Sequence, residues 1–184
     1  MRIGIGYDIH RFNGRRPSTT ARLRRRGLTG SAGRRGTIKL GGVSIPSARA
    51  LLGHSDADVL LHALADALLG AIGAPDLGEL FPPTDPRYRR ADSRLFVLAA
   101  HARIARAGWR VGNVDATVVT DAPKLTPHKL NMRRAISQLL GIKPSEVSVK
   151  AKTTEGLPPG NRGISAHAVV LLKKIRDSRP ETRG

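Results

Sequence analysis

Apolar and polar positions along the chain follow two periods that divide it into strands and helices. Arg2 to Tyr7 reads as a short strand, and Thr37 to Val43 as a second. Ser55 precedes Asp56-Ala57-Asp58, which predicts a helix cap with an acidic first turn. Val59, Leu60, Ala63, Leu64, Ala67, Leu68 and Ala71 then recur at helical spacing until Gly73 and Pro75 end the run. Ala74 to Ala91 is rich in Pro and Asp and reads as a long loop, a length that favours a functional role. A second helix is expected from Ser93 to Ala107, stopped by Gly108, and Val114 to Val119 is a β-branched strand. Thr126-Pro127 opens a third helix with Pro at its first position, and Gly141 closes it. Val147 to Lys152 and Ala166 to Leu172 complete the strands, giving a mixed α/β chain without an internal repeat.

A length of 184 residues with 40% hydrophobic composition suits one folded domain and is too short for two full ones. Cysteine is absent, which excludes disulfides, Cys-rich zinc modules and thiol nucleophiles. No apolar run is long enough to span a bilayer and the N-terminus does not read as a signal peptide, so a soluble cytoplasmic protein is expected.

The net charge of +18 first suggests a nucleic-acid partner. Its distribution argues against one. Eleven basic residues and no acid lie between Ile9 and Ser55, mostly within Arg11 to Gly36, and the rest of the chain is far closer to balance. That segment mixes Arg with Gly, Ser and Thr and has no apolar periodicity, so it reads as a flexible insert over residues 13–36. Six aromatic residues in the whole chain also leave little material for stacking bases. The tail over 175–184 is expected to fray.

Several clusters could carry chemistry. Asp8 and His10 lie two apart on a strand and so leave it on one face. His62 sits on the first long helix, with Asp58 and Asp66 at i−4 and i+4, either of which could orient the imidazole. One carboxylate and two imidazoles with an open fourth position suit a catalytic zinc, although a capped strand end and a structural histidine would look the same. His54 and Ser55 precede the helix, where outward N–H groups suit a phosphate. Lys150 to Glu155 offers two ammonium groups, two hydroxyls and a hard carboxylate suited to Mg²⁺ or Mn²⁺. Thr120 to Thr126 leaves a strand and turns into a helix, freeing backbone groups for a ligand. A metal-dependent phosphohydrolase using water would draw on the same groups.

Ordered motifs narrow these alternatives. They are Gly6-Tyr7-Asp8-Ile9-His10-Arg11-Phe12, Leu40-Gly41-Gly42-Val43-Ser44-Ile45-Pro46, the block from His54 to Ala67, and Phe81-Pro82-Pro83-Thr84-Asp85-Pro86. Ala91-Asp92-Ser93, Gly112-Asn113-Val114-Asp115, Ala122-Pro123-Lys124 and Lys152-Thr153-Thr154-Glu155 complete the series. The set resembles the 2-C-methyl-D-erythritol 2,4-cyclodiphosphate synthases of the non-mevalonate isoprenoid pathway, over about Met1 to Lys174, apart from the Arg-rich insert.

The resemblance implies a single catalytic domain over 1–174, a mixed sheet covered by helices on one face, and a homotrimer with active sites at subunit interfaces. It implies zinc on Asp8, His10 and His62, and Mg²⁺ or Mn²⁺ on Glu155. His54 and Thr153 would stabilise the transition state. Asp8, Ile9, His10, His54 and Ser55 would contact the substrate. Asp76, Leu77 and Gly78 with Phe81, Pro82, Pro83, Thr84 and Asp85 would surround the methylerythritol part. Thr120, Asp121, Ala122, Pro123, Lys124, Leu125 and Thr126, with Lys152, Thr153, Thr154 and Glu155, would hold the cytidine diphosphate end. The chain departs from the family pattern in three places. Pro83 replaces an Asp, the stretch Leu157 to Gly163 is shortened so that Arg162 is the candidate for a phosphate-binding arginine, and the loop after the first strand is long.

Overall fold

The computed structural model describes residues 1–13, 36–157 and 162–175. Most of the Arg-rich insert (residues 14–35) and of the C-terminal tail (176–184) lies outside the described residues. A four-stranded sheet in the order β1-β6-β4-β5 forms the frame, with β1 at Arg2–Arg11, β4 at Trp109–Val119, β5 at Val147–Lys152 and β6 at Gly163–Lys174. β6 runs antiparallel to both β1 and β4, while β4 and β5 are parallel, so the sheet is mixed. Consequently β1, β4 and β5 all end at the same side of the sheet, with β1 and β5 on opposite edges.

Among the described residues, helices cover one face only. α1 (Val59–Ala71) lies across β1 and β6, with α3 (Arg94–Arg106) packed behind it and α4 (Lys129–Leu140) against β5. α1 is apolar nearly all round because it is sandwiched between sheet and α3. Its close approach depends on glycine: a Cβ on Gly4 would sit 1.9 Å from the Ala67 carbonyl oxygen, and one on Gly6 would sit 2.0 Å from that of Ala63. The strand thus rests directly on the helix backbone. Two residues of strand and four of helix advance by nearly the same length, about 6.7 and 6 Å. The register that pairs Gly4 and Gly6 with Ala67 and Ala63 therefore brings Asp8 level with the first turn of α1.

Among the described residues nothing covers the opposite sheet face. Ile3, Ile5, Tyr7 and Ile9 of β1 are half or more exposed, and Val169 of β6 is partly so. Among the described residues no helix is long and apolar enough to cross a membrane.

Three local expectations are corrected. The run from Thr37 to Val43 is not one strand but a hairpin of β2 (Gly36–Leu40) and β3 (Val43–Ser47), turning at Gly41 and Gly42, both with positive φ. The cap of α1 is Asp58 rather than Ser55: its carboxylate accepts from Leu61 N at 3.1 Å and from Gly41 N and Gly42 N, each at 2.7 Å. The loop from Ala74 to Ala91 contains the short α2 (Leu77–Leu80), with Asp76 and Glu79 in a reciprocal capping box, and a 3₁₀ turn at Pro86–Tyr88.

Candidate active site

Near the C-terminal end of β1, the even positions that pack on α1 change from Gly4 and Gly6 to Asp8 and His10. There Asp8 Oδ2 lies 2.9 Å from His62 Nδ1 and 3.2 Å from His10 Nε2, and the two imidazole nitrogens are 3.2 Å apart. Tetrahedral zinc with bonds of about 2.0–2.1 Å has donor–donor edges of roughly 3.3–3.4 Å, close to these separations. Burial alone would raise the Asp8 carboxyl. Hydrogen bonding and charge from His10 and His62 more than offset this, and the group lies well below the usual carboxylate range. Ile9 N donates to the other Asp8 oxygen at 2.8 Å, fixing the carboxylate, while the Ile9 side chain points to the bare face.

The far side of His62 differs from the sequence expectation. Neither Asp58 nor Asp66 holds the imidazole: Asp58 is the buried helix cap, and Asp66 accepts from Leu77 N at 2.8 Å, tying α2 to α1. Instead His62 Nε2 is 2.9 Å from Ser93 Oγ and 3.0 Å from Ser55 Oγ, and Ser93 Oγ donates to Asp56 Oδ1 at 2.5 Å. Because the carboxylate can only accept, the Ser93 proton is committed to it and Ser93 Oγ accepts from His62. Nε2 therefore carries a hydrogen, which leaves Nδ1 to face Asp8 and His10 Nε2. These three atoms converge on one point, where a bound cation would replace the protons that hydrogen-bond the imidazoles to the Asp8 carboxylate.

These donors open into a cavity of about 590 Å³ lined by His10, Arg11, His54, Ser55 and His62 on its polar side. Leu52, Gly53, Leu77, Gly78, Phe81, Pro83, Tyr88 and Phe96 form the remainder. Phe81, Tyr88 and Phe96 pack as an aromatic group with ring centroids 5.0–6.0 Å apart. Arg90 N donates to the His54 carbonyl at 2.7 Å, which holds the His54 segment at the rim. The helix N-terminus itself is no phosphate site, since the Asp58 carboxylate already occupies it. Of the residues expected around the methylerythritol part, Leu77, Gly78, Phe81 and Pro83 line the cavity, whereas Asp76 caps α2 and Asp85 caps the turn at Pro86–Tyr88. Pro82 and Thr84 are not among the lining residues.

The second cluster assembles where β4 and β5 end. Thr120 N donates to Lys152 O at 2.9 Å, and the Asp121 carboxylate accepts from Thr154 N at 2.9 Å and from Thr154 Oγ1 at 2.7 Å. The Thr154 backbone N–H and hydroxyl hold the Asp121 carboxyl below its ordinary value. Thr120 Oγ1 donates to Ala122 O at 2.7 Å, and Leu125 is buried beneath the turn that runs into Thr126. Thr153 donates to the Glu155 carboxylate, and Glu155 itself is exposed. Lys124, Lys152 and Thr153 are exposed as well, available to an anionic ligand. Arg162 is also exposed, and its carbonyl accepts from Phe12 N at 2.8 Å.

None of these residues lines the first cavity: Thr120 to Thr126 and Lys152 to Glu155 follow the ends of β4 and β5, two and three strands away from β1, while Arg162 precedes β6 beside β1.

Sequence reasoning missed Arg11, Leu52, Gly53, Tyr88 and Phe96 in the cavity, and Ser93 and Asp56 behind His62. Only the scarcity of aromatics could have flagged Tyr88 and Phe96, since six in 184 residues are unevenly spent on one wall.

A small mixed sheet backed by helices, with an Asp-His-His cluster at the mouth of a largely apolar pocket, defines a metal-dependent enzyme acting on a small molecule. The YgbB family model matches residues 1–173, and the chain belongs to that family. A 2-C-methyl-D-erythritol 2,4-cyclodiphosphate synthase of Pseudomonas aeruginosa is 48% identical over 174 residues, 94% of this chain and 98% of that protein. A synthase of the same name from Moorella thermoacetica is 49% identical, covering 94% of each chain. A solved 2C-methyl-D-erythritol-2,4-cyclodiphosphate synthase in its CDP-bound form superposes with a TM-score of 0.77 at 35% identity, covering 94% of this chain and all of that one. Asp8, His10 and His62 form the zinc site.

Proposed function

We propose that this chain converts 4-diphosphocytidyl-2-C-methyl-D-erythritol 2-phosphate to 2-C-methyl-D-erythritol 2,4-cyclodiphosphate and CMP, as a phosphorus–oxygen lyase of the non-mevalonate isoprenoid pathway in the cytoplasm. The observation that carries the reading is the Asp8–His10–His62 cluster at the mouth of a pocket sized for a small polyol. The family membership and the CDP-bound relative agree with it.

The substrate's own 2-phosphate attacks the β-phosphorus and CMP leaves, so no protein nucleophile is needed. That suits a chain without cysteine. The task is to fold a polyanion onto itself, where positioning and charge neutralisation dominate. The apolar wall of Leu77, Phe81, Pro83 and Phe96 receives the methylerythritol carbon skeleton and excludes water that would otherwise attack the diphosphate. Pro83 supplies shape there but no hydroxyl-binding carboxylate. Zinc, when bound, supplies Lewis acidity at the phosphate under attack. His54 and Thr153 stabilise charge at the transferring phosphoryl group, while Glu155 would hold Mg²⁺ or Mn²⁺, whose charge would offset that of the phosphates. The turn from Thr120 to Thr126, braced by Asp121 on Thr154, receives the cytidine with its backbone, and Lys152 and Arg162 meet the phosphates.

Both halves serve one substrate, so the chain acts as a homotrimer: the metal half comes from one subunit and the cytidine half from its neighbour. The bare sheet face with Ile3, Ile5, Tyr7 and Ile9 supplies the apolar surface that such an assembly buries. Purified protein loaded with zinc and Mg²⁺, given the authentic substrate, should release CMP together with the cyclic diphosphate. An opened, hydrolysed product would instead identify a metal-dependent hydrolase and overturn the reading.

A further inference from the structure

The chain from His62 through Ser93 to Asp56 has the form of a metal-site support rather than a structural cap. Ser93 is fully buried and occupies the cap position of α3, yet its side chain makes no bond to that helix. A serine there ordinarily accepts from the first-turn amides, a bond worth about 1 kcal/mol. Here the hydroxyl is turned to Nε2 of His62 at 2.9 Å and to Asp56 Oδ1 at 2.5 Å. Asp56 is held in place in turn: its amide donates to Ala91 O at 3.0 Å, and its Oδ1 also accepts from Ser93 N at 3.3 Å.

We propose that Ser93 and Asp56 are positioning residues of the metal centre, linked as His62–Ser93–Asp56 to hold His62 as the tautomer whose Nδ1 faces Asp8 and His10. The proposal rests on the zinc site and not on the particular reaction. Orientation and tautomer are set together. An imidazole whose outer N–H is anchored cannot rotate about its Cβ–Cγ bond to present Nε2 instead, and a carboxylate behind the relaying hydroxyl makes the ring more basic toward a cation. Ser55, at 3.0 Å from the same nitrogen, guards the other side of the N–H without reaching Asp56.

The test compares wild type, S93A, S93T and D56A by zinc competition against a chromogenic chelator, together with thermal unfolding of the metal-free proteins. S93A and D56A should each weaken zinc about 10- to 100-fold, as loss of such partners generally does. The double variant should be no weaker than either single one, because both break the same chain, and S93T should restore most of the affinity. Zinc affinity within about twofold of wild type in S93A would overturn the proposal, even if the metal-free protein melted earlier, since that is the signature of a structural serine. Should S93T not fit its buried site, the D56A and S93A pair decides by itself. Wild type that failed to bind zinc would refute the metal site, a result distinct from equal binding by wild type and S93A.

Discussion

Replacing Gly6 with alanine probes the contact that sets the whole site. The new Cβ would meet Ala63 O at 2.0 Å and Ala67 N at 2.7 Å, both backbone atoms that cannot swing aside. Restoring an ordinary contact of about 3.4 Å requires β1 and α1 to separate by more than roughly 1 Å, which undoes close packing along the strand. Overpacking of this kind costs about 1–3 kcal/mol, and the rigid neighbours place G6A at the upper end, near 3 kcal/mol. At about 2–4 °C per kcal/mol for a chain of this size, the metal-free protein should melt some 6–12 °C earlier. The same separation draws His62 away from Asp8 and His10, whose donor atoms now lie 2.9–3.2 Å from it. Metal sites tolerate only about 0.2 Å, so zinc affinity should fall by well over tenfold. Gly70 provides the control, because a Cβ there meets only Ile5 O at 3.8 Å and α1 should gain helix propensity. Calorimetry of the metal-free forms and chelator competition read both effects. A G6A protein with wild-type melting and zinc binding would refute the idea that the strand–helix register builds the site.

Two other outcomes follow from the placement of the charged groups. H10A removes one of three donors and should release zinc on dialysis and cut CMP formation by at least 100-fold, while circular dichroism stays unchanged; retention of both metal and turnover would contradict the assignment. E155Q should leave zinc content intact, since Glu155 lies outside the Asp8 cluster, yet raise the Mg²⁺ or Mn²⁺ concentration for half-maximal CMP release tenfold or more; an unchanged ion requirement would remove Glu155 from that role.

The sequence made some of this site legible and hid the rest for identifiable reasons. A two-residue spacing on a strand is enough to put Asp8 and His10 on one face, and the helical period of α1 emerges cleanly because nearly all its faces are apolar. The hairpin at Gly41-Gly42 was readable from the glycine pair, yet the apolar residues on either side mimic one continuous strand. Ser55 and Asp58 are equally good caps by residue type. Asp58 wins because the hairpin brings two further amides to its carboxylate, a contact across 16 and 17 residues. The His62 support was invisible for the same reason: Asp56 and Ser93 are 37 residues apart and meet only when the loop before α3 folds back. Local pattern offered Asp58 and Asp66, and tertiary contacts had already engaged both.

Under the proposed function, with the metal cluster at the end of β1 and the cytidine-binding residues beyond β4 and β5, activity becomes a property shared between chains and open to complementation. A subunit disabled by H10A still offers an intact cytidine half, and one disabled by a Thr153 substitution still offers an intact metal half. When the two are unfolded and reassembled together in equal amounts, random association gives each boundary an even chance of drawing a sound half from either side. About one site in four should then be restored from two inactive parents, and a harmful allele of this gene could be masked by a different one in the same cell.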